Sequence, residues 1–196
     1  MANNVTNIIK IVANEEAIKS IDNRFESAGG YADVAMFVKA FYDNPEISED
    51  GGVMNSWSLD NVGSKWIYVE NNIDGGEWNI QSANYPPQEF LQRLYELVTE
   101  IDPEGYIENR YNDEGYSPVG VMVFKKDDQG PKWAEIEDYD MENPADDMDW
   151  DEEGYDEAQM SFMDEVYDFQ EQSIERCHNI INLGEGEPFK QIKVSE

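Results

Sequence analysis

The chain has 196 residues, with 44 Asp and Glu against 13 Lys and Arg and a formal net charge of −31, yet 40% of it is hydrophobic and 12% aromatic. Unfolded chains combine high charge with few aromatics, so 5 Trp, 11 Tyr and 8 Phe argue for a folded core, and the length fits one domain with at most an appendage. The charge balance excludes direct binding to nucleic acid or to anionic membranes, because phosphates are held by clustered Lys and Arg.

In chain order, Asn4 to Ala13 alternates, carries Val5, Ile8, Ile9, Ile11 and Val12, and predicts a strand with one face buried. Asn14 is placed as an N-cap, with Glu15 and Glu16 in the first turn of a helix carrying Ala17, Ile18, Ile21 and Phe25 and ending at Gly29-Gly30. Tyr31 to Tyr42 is a second amphipathic stretch, closed by Asn44-Pro45 and a loop through Gly51-Gly52. Lys65 to Glu70 and Glu77 to Ala83 predict a hairpin joined through Asn72 and Gly75-Gly76. Pro86-Pro87 open a helix whose apolar face is Phe90, Leu91, Leu94, Leu97, Val98 and Ile101. Two strands follow, Gly105 to Tyr111 and Val119 to Lys126. This order predicts an α+β fold over residues 1–134, a ferredoxin-like split β-α-β sheet with its helices on one face.

The segments Asn4-Val5-Thr6-Asn7-Ile8-Ile9-Lys10-Ile11, Gly63-Ser64-Lys65-Trp66 and Ser82-Ala83-Asn84-Tyr85-Pro86-Pro87, with the turn at Asp113-Glu114-Gly115, resemble the ferredoxin-like domain of the Api92-like proteins of phages and plasmids. The resemblance covers roughly residues 3–130, and Asn4-Val5 and Asn84 stand where that family has Trp-Cys and Trp. It implies the fold and a mobile-element origin, and it carries no catalytic residues.

The remaining chain, 135–196, reads as an acidic extension. Residues 135–171 hold 17 acids and no base, net −17, against 23 acids and 10 bases in residues 1–134 and 4 acids and 3 bases in 172–196. Tyr139, Met141, Trp150, Tyr155, Met160, Phe162, Met163, Tyr167 and Phe169 are interleaved with these carboxylates, which marks a surface that packs rather than a solvated tail. From about 159 to 183 the pattern is helical, with Phe162, Met163, Val166, Phe169, Ile174, Cys177, Ile180 and Ile181 in one stripe that docks on the body or in a homodimer.

Little chemistry is available. Zinc is out on ligand count, and His178 beside Cys177, the only imidazole and the only thiol, point about 100° apart on a helix and do not form a nucleophile-base pair. No phosphate-binding or dinucleotide fingerprint is present, and no cofactor is expected. Asp149 to Gly154 places acids and Gly at EF-hand positions, with Asp146 and Asp147 alongside, but the twelfth position is Met160 where a bidentate Glu is needed. With no run of 18 apolar residues, no signal-peptide block and a lone Cys177, a cytoplasmic protein is expected.

The expected role is a non-enzymatic, phage-type inhibitor whose acidic surface imitates nucleic acid and occupies a basic nucleic-acid-binding host protein. Its contact residues are Glu135, Glu137, Asp138, Asp140, Glu142, Asp146, Asp147, Asp149, Trp150, Asp151, Glu152, Glu153, Asp156, Glu157, Asp164, Glu165, Asp168 and Glu171. The alternatives are an acidic scaffold without mimicry, a carboxylate or metal-dependent enzyme, and acidity serving only to keep the surface hydrated.

Overall fold

The fold is read from a computed structural model that describes residues 3–28, 34–49, 52–139, 141, 143–145, 148–151 and 153–189. Strand β1 (Asn4–Val12) leads into α1 (Glu15–Ser27). The Asn14 side chain caps α1 by accepting from the Ala17 amide at 3.0 Å. Helices α2 (Val34–Phe41) and α3 (Asn55–Asn61) precede the hairpin of β2 (Ile67–Asp74) and β3 (Glu77–Ala83). After α4 (Gln88–Ile101) come β4 (Tyr106–Asp113), β5 (Val119–Asp127) and β6 (Gly130–Asp138), then α5 (Tyr155–Asn182) and the short β7 (Glu187–Pro188). The predicted boundaries at Gly29-Gly30, Tyr31 and Gly51 lie outside the described residues.

All pairings in the seven-stranded sheet are antiparallel, in the order β2-β3-β1-β4-β5-β6-β7. The sheet is larger than a four-stranded split β-α-β unit. The sequence reading contains one strand beyond that unit; β6 and β7 extend the sheet further. The 134/135 boundary drawn from composition falls inside β6, so the acidic block begins within the sheet.

One face of the sheet carries α1, α2 and α4. Phe25, Phe37, Phe41 and Phe90 are fully buried there, with ring centroids 4.8–5.0 Å apart for Phe37–Phe90, Phe25–Phe41 and Phe41–Phe90, and Trp78 stacks on Phe25 at 4.7 Å. The Trp78 indole N–H donates to Asp22 at 2.7 Å and the Gly76 amide to the same oxygen at 3.3 Å, which ties α1 to the β2–β3 turn.

The helices of residues 1–134 share one face as expected, and α5, from the acidic extension, packs on the other. Along β5, Met122 and Phe124 enter the core beneath α1, α2 and α4, while Val121 and Val123 pack with Ala134, Ile174, Cys177 and Ile181 under α5. A strand apolar on both sides needs both sides covered.

Candidate functional site

Helix α5 starts four residues before the predicted 159, after Gly154 in the left-handed region at φ 96°, a backbone state that suits glycine. Asp156 and Glu157 then occupy the first turn, where carboxylates interact favourably with the helix dipole. Two separate apolar clusters hold the helix. Its C-terminal half rests on β5 and β6 through Ile174, Cys177 and Ile181, and its N-terminal half on Val119 and Tyr116 through Phe162 and Val166. The predicted docking stripe is therefore real except at Met163, which is 41% exposed.

Opposite the buried stripe, Glu157, Asp164, Asp168 and Glu175 fall within about 40° of one another around the helix axis, at 3.6 residues per turn. All four are exposed, and none forms an ion pair among the described residues. Asp149, Asp151, Glu153, Asp156 and Glu165 are exposed as well. Glu171 differs, being paired with Arg110 of β4. Trp150, between two of these acids, is 82% exposed.

Beside the carboxylate row runs a second strip, Met160, Met163 and Tyr167, at 64%, 41% and 57% exposure. The Arg110 guanidinium lies 5.9 Å from the Tyr167 ring centroid. In the sequence these side chains are interleaved with acids, and only the i, i+3, i+7 spacing, referred to the buried face, shows that they form a line. Phe162, between Met160 and Met163 in the sequence, is instead buried against the body at 1% exposure.

The sheet separates the remaining predicted residues. Asp138 is on the α5 side, since it pairs with Val119, whereas Glu135 and Glu137 alternate to the other face. There the buried Tyr111 hydroxyl donates to Glu135 Oε1 at 2.6 Å and lies 3.1 Å from Glu137 Oε2. Burial pushes the Tyr111 hydroxyl well above its ordinary value, and the two carboxylates push it further. Burial also raises Glu135, with Glu137 adding to the rise and the Tyr111 hydrogen bond opposing it. Asp140, Glu142, Asp146, Asp147 and Glu152 lie outside the described residues.

A carboxyl raised in the folded state favours the fold below its unfolded pKa, and that contribution is lost as the pH rises through the folded value. Glu135→Gln, which keeps an acceptor for Tyr111, is therefore expected to raise Tm at neutral pH by about 2–4 °C, the size of roughly 1 kcal/mol in a chain of this length. The gain should vanish near pH 3. Thermal melts at the two pH values check it.

The Cys177 and His178 side chains diverge. Cys177 is buried between α5 and the sheet, and burial, with Glu135 adding to it, pushes its thiol up to about 12. His178 faces β4, with Nε2 2.9 Å from Glu108 Oε1 and Tyr106 edge-on to its ring at 5.1 Å. An ionised carboxylate only accepts, so Nε2 carries the hydrogen. Burial alone raises Glu108, but the His178 hydrogen bond and charge, with Lys10 and Arg110, outweigh it and hold the carboxyl below its ordinary value.

A depressed carboxyl favours the fold above its unfolded pKa, and that contribution drains away as the pH falls through the folded value. His178→Ala is expected to destabilise the protein at pH 7 by about 1.5–3 kcal/mol, the range for a hydrogen bond to a charged group. Urea unfolding at pH 7 and pH 3 should show the variant and the parent converging in acid.

Among the described residues no three His, Cys, Asp or Glu side chains come together as a metal site, and no helix is long and apolar enough to cross a membrane. Comparison with protein families, curated proteins and solved structures yields no match to this chain.

Proposed function

We propose that this protein is a non-enzymatic inhibitor, of phage or other mobile-element origin, that acts in the bacterial cytoplasm by presenting a nucleic-acid-like surface to a basic host protein. Defence nucleases, nucleic-acid-modifying toxins and polymerases are the class of target. The observation that carries the reading is the row Glu157, Asp164, Asp168 and Glu175, borne on a helix packed against the sheet and left without ion-pair partners among the described residues. Lys and Arg on a partner complement such a row, steer encounter and make association salt-sensitive.

The body is proposed to be an Api92-like, ferredoxin-like unit. The order β2-β3-β1-β4, with α1 and α4 as the two crossovers, supports it, and the later strands and α5 are additions to that unit. In this reading the body is a mount, and the surface that acts is the far side of α5.

Affinity purification of the full chain from bacterial lysate tests the proposal. The expected result is a basic nucleic-acid-binding protein, released by competing nucleic acid and by salt. Retained proteins with no nucleic-acid activity, or binding indifferent to ionic strength, would overturn it.

A further inference from the structure

We infer that the surface α5 imitates is a single strand rather than a duplex, so that the partner is a single-strand-binding protein whose basic track runs beside an apolar or aromatic platform. This rests on the reading of α5 as a decoy and narrows it.

Charge density gives the first argument. From Asp156 to Glu175 the helix carries 7 carboxylates spread around its circumference, of which Glu171 is paired with Arg110 and 6 have no ion-pair partner among the described residues. At about 1.5 Å per residue those positions span about 28 Å. Over that length a duplex presents about 17 phosphates and one strand about 8. The unpaired carboxylates therefore come close to the number on one strand and reach only about a third of that on a duplex.

The second argument is the strip Met160, Met163 and Tyr167, which runs alongside the acids on the flank nearest β4. A single strand has the same two-edged character, with phosphates along one edge and unstacked bases along the other. Proteins that hold single strands meet it with a basic groove and side chains on which bases stack. A duplex keeps its base faces inside and offers no apolar edge. Tyr167 is braced by Arg110, which also pairs with Glu171, so the ring is ordered before any partner arrives and less freedom is lost on binding. A second copy of this chain is a poor occupant. Asp164, Asp168 and Glu171 border the strip, and two strips face to face would bring like charges together.

The test uses the immobilised full chain, loaded with bacterial lysate and eluted by titration with oligothymidine or duplex DNA of about 20 nucleotides per strand at equal phosphate. Release of a retained protein by the single strand at a concentration about tenfold below that of the duplex is the expected result. Release by the duplex alone, or equally by both, overturns the single-strand inference and leaves the decoy reading standing. Release by neither, or no retained protein, overturns both. A Met160→Ser, Met163→Ser variant, altered only on the exposed flank, should melt as the parent does, keep its salt dependence and bind the eluted protein about tenfold more weakly. Unchanged affinity in that variant removes the strip from the interface and overturns the inference. Tyr167→Ala should weaken binding in the same way, and its melting curve separates loss of the Arg110 contact from loss of the partner.

Discussion

Association with the partner should slow by about 10- to 1000-fold at low salt when Glu157 and Glu175 are changed to Gln and Asp164 and Asp168 to Asn, because charges of this kind act chiefly on encounter rates. The slowing should shrink as salt rises, since screening already shortens the reach of these charges in the parent to about 10 Å at 0.1 M. Dissociation should change much less. The fold should survive the change almost untouched, for reasons that can be counted along α5. Asp164 and Asp168 are one turn apart, as are Glu171 and Glu175, and like charges at that spacing cost about 0.2–0.5 kcal/mol per pair. Removing them offsets the loss of Glu157 from the first turn, where its interaction with the helix dipole contributes about 0.3–1 kcal/mol. Association kinetics at two salt concentrations, with a melting curve for each protein, check this. An intact fold with an unchanged association rate would mean that the acidic row is a passenger, and would turn attention to the uncovered part of the sheet beside α5.

Asn14 as a cap, Gly75-Gly76 as a hairpin turn and the Phe90-Leu94-Leu97 face of α4 are local signals, and local signals survive into the structure. Strand β6 was hidden because Glu135, Glu137 and Asp138 read as the start of an acidic block. Their alternation with Ala134 and Ile136 was the better guide, since the acids at 135 and 137 alternate to the opposite side from the apolar pair. Helix α3 has no usable period. Tertiary contacts hold it, with Tyr42 donating to the Asn61 carbonyl at 2.8 Å and edge-on to Trp57, and the Ser58 hydroxyl donating to the Ser64 carbonyl. That α5 lies opposite α1 and α4 was legible only in β5, whose run Val119 to Phe124 is apolar on both faces apart from Gly120. Adding a Cβ at Gly120 would bring it to 2.4 Å from the Tyr111 ring, a contact visible only once β4 and β5 are side by side.

The exposed surface of α5 is only as well ordered as the contacts beneath it, and for the half that carries Met160, Met163 and Asp164 those contacts centre on Phe162. This side chain is 1% exposed, packs with Val119 and Val166, and meets the Tyr116 ring edge-on at 5.2 Å. Phe162→Ala is expected to cost about 3–5 kcal/mol, the usual range for emptying a buried Phe site. The cost should fall on one end of the helix, because the cluster around Ile174, Cys177 and Ile181 is separate and keeps its own contacts with Val121, Val123 and Ala134. Amide exchange should therefore accelerate from Tyr155 to Val166 while Ile174 to Ile181 stay protected. Partner affinity should drop with the loosening of the first segment, although no residue proposed to touch the partner has been altered. Phe162→Leu, which retains most of the apolar volume but not the ring contact with Tyr116, should cost less than the alanine change and restore much of both protection and affinity. Simultaneous loss of protection along the whole helix would instead show that α5 and the sheet open as one cooperative unit, and the affinity change would then report global stability rather than the alignment of the acidic row.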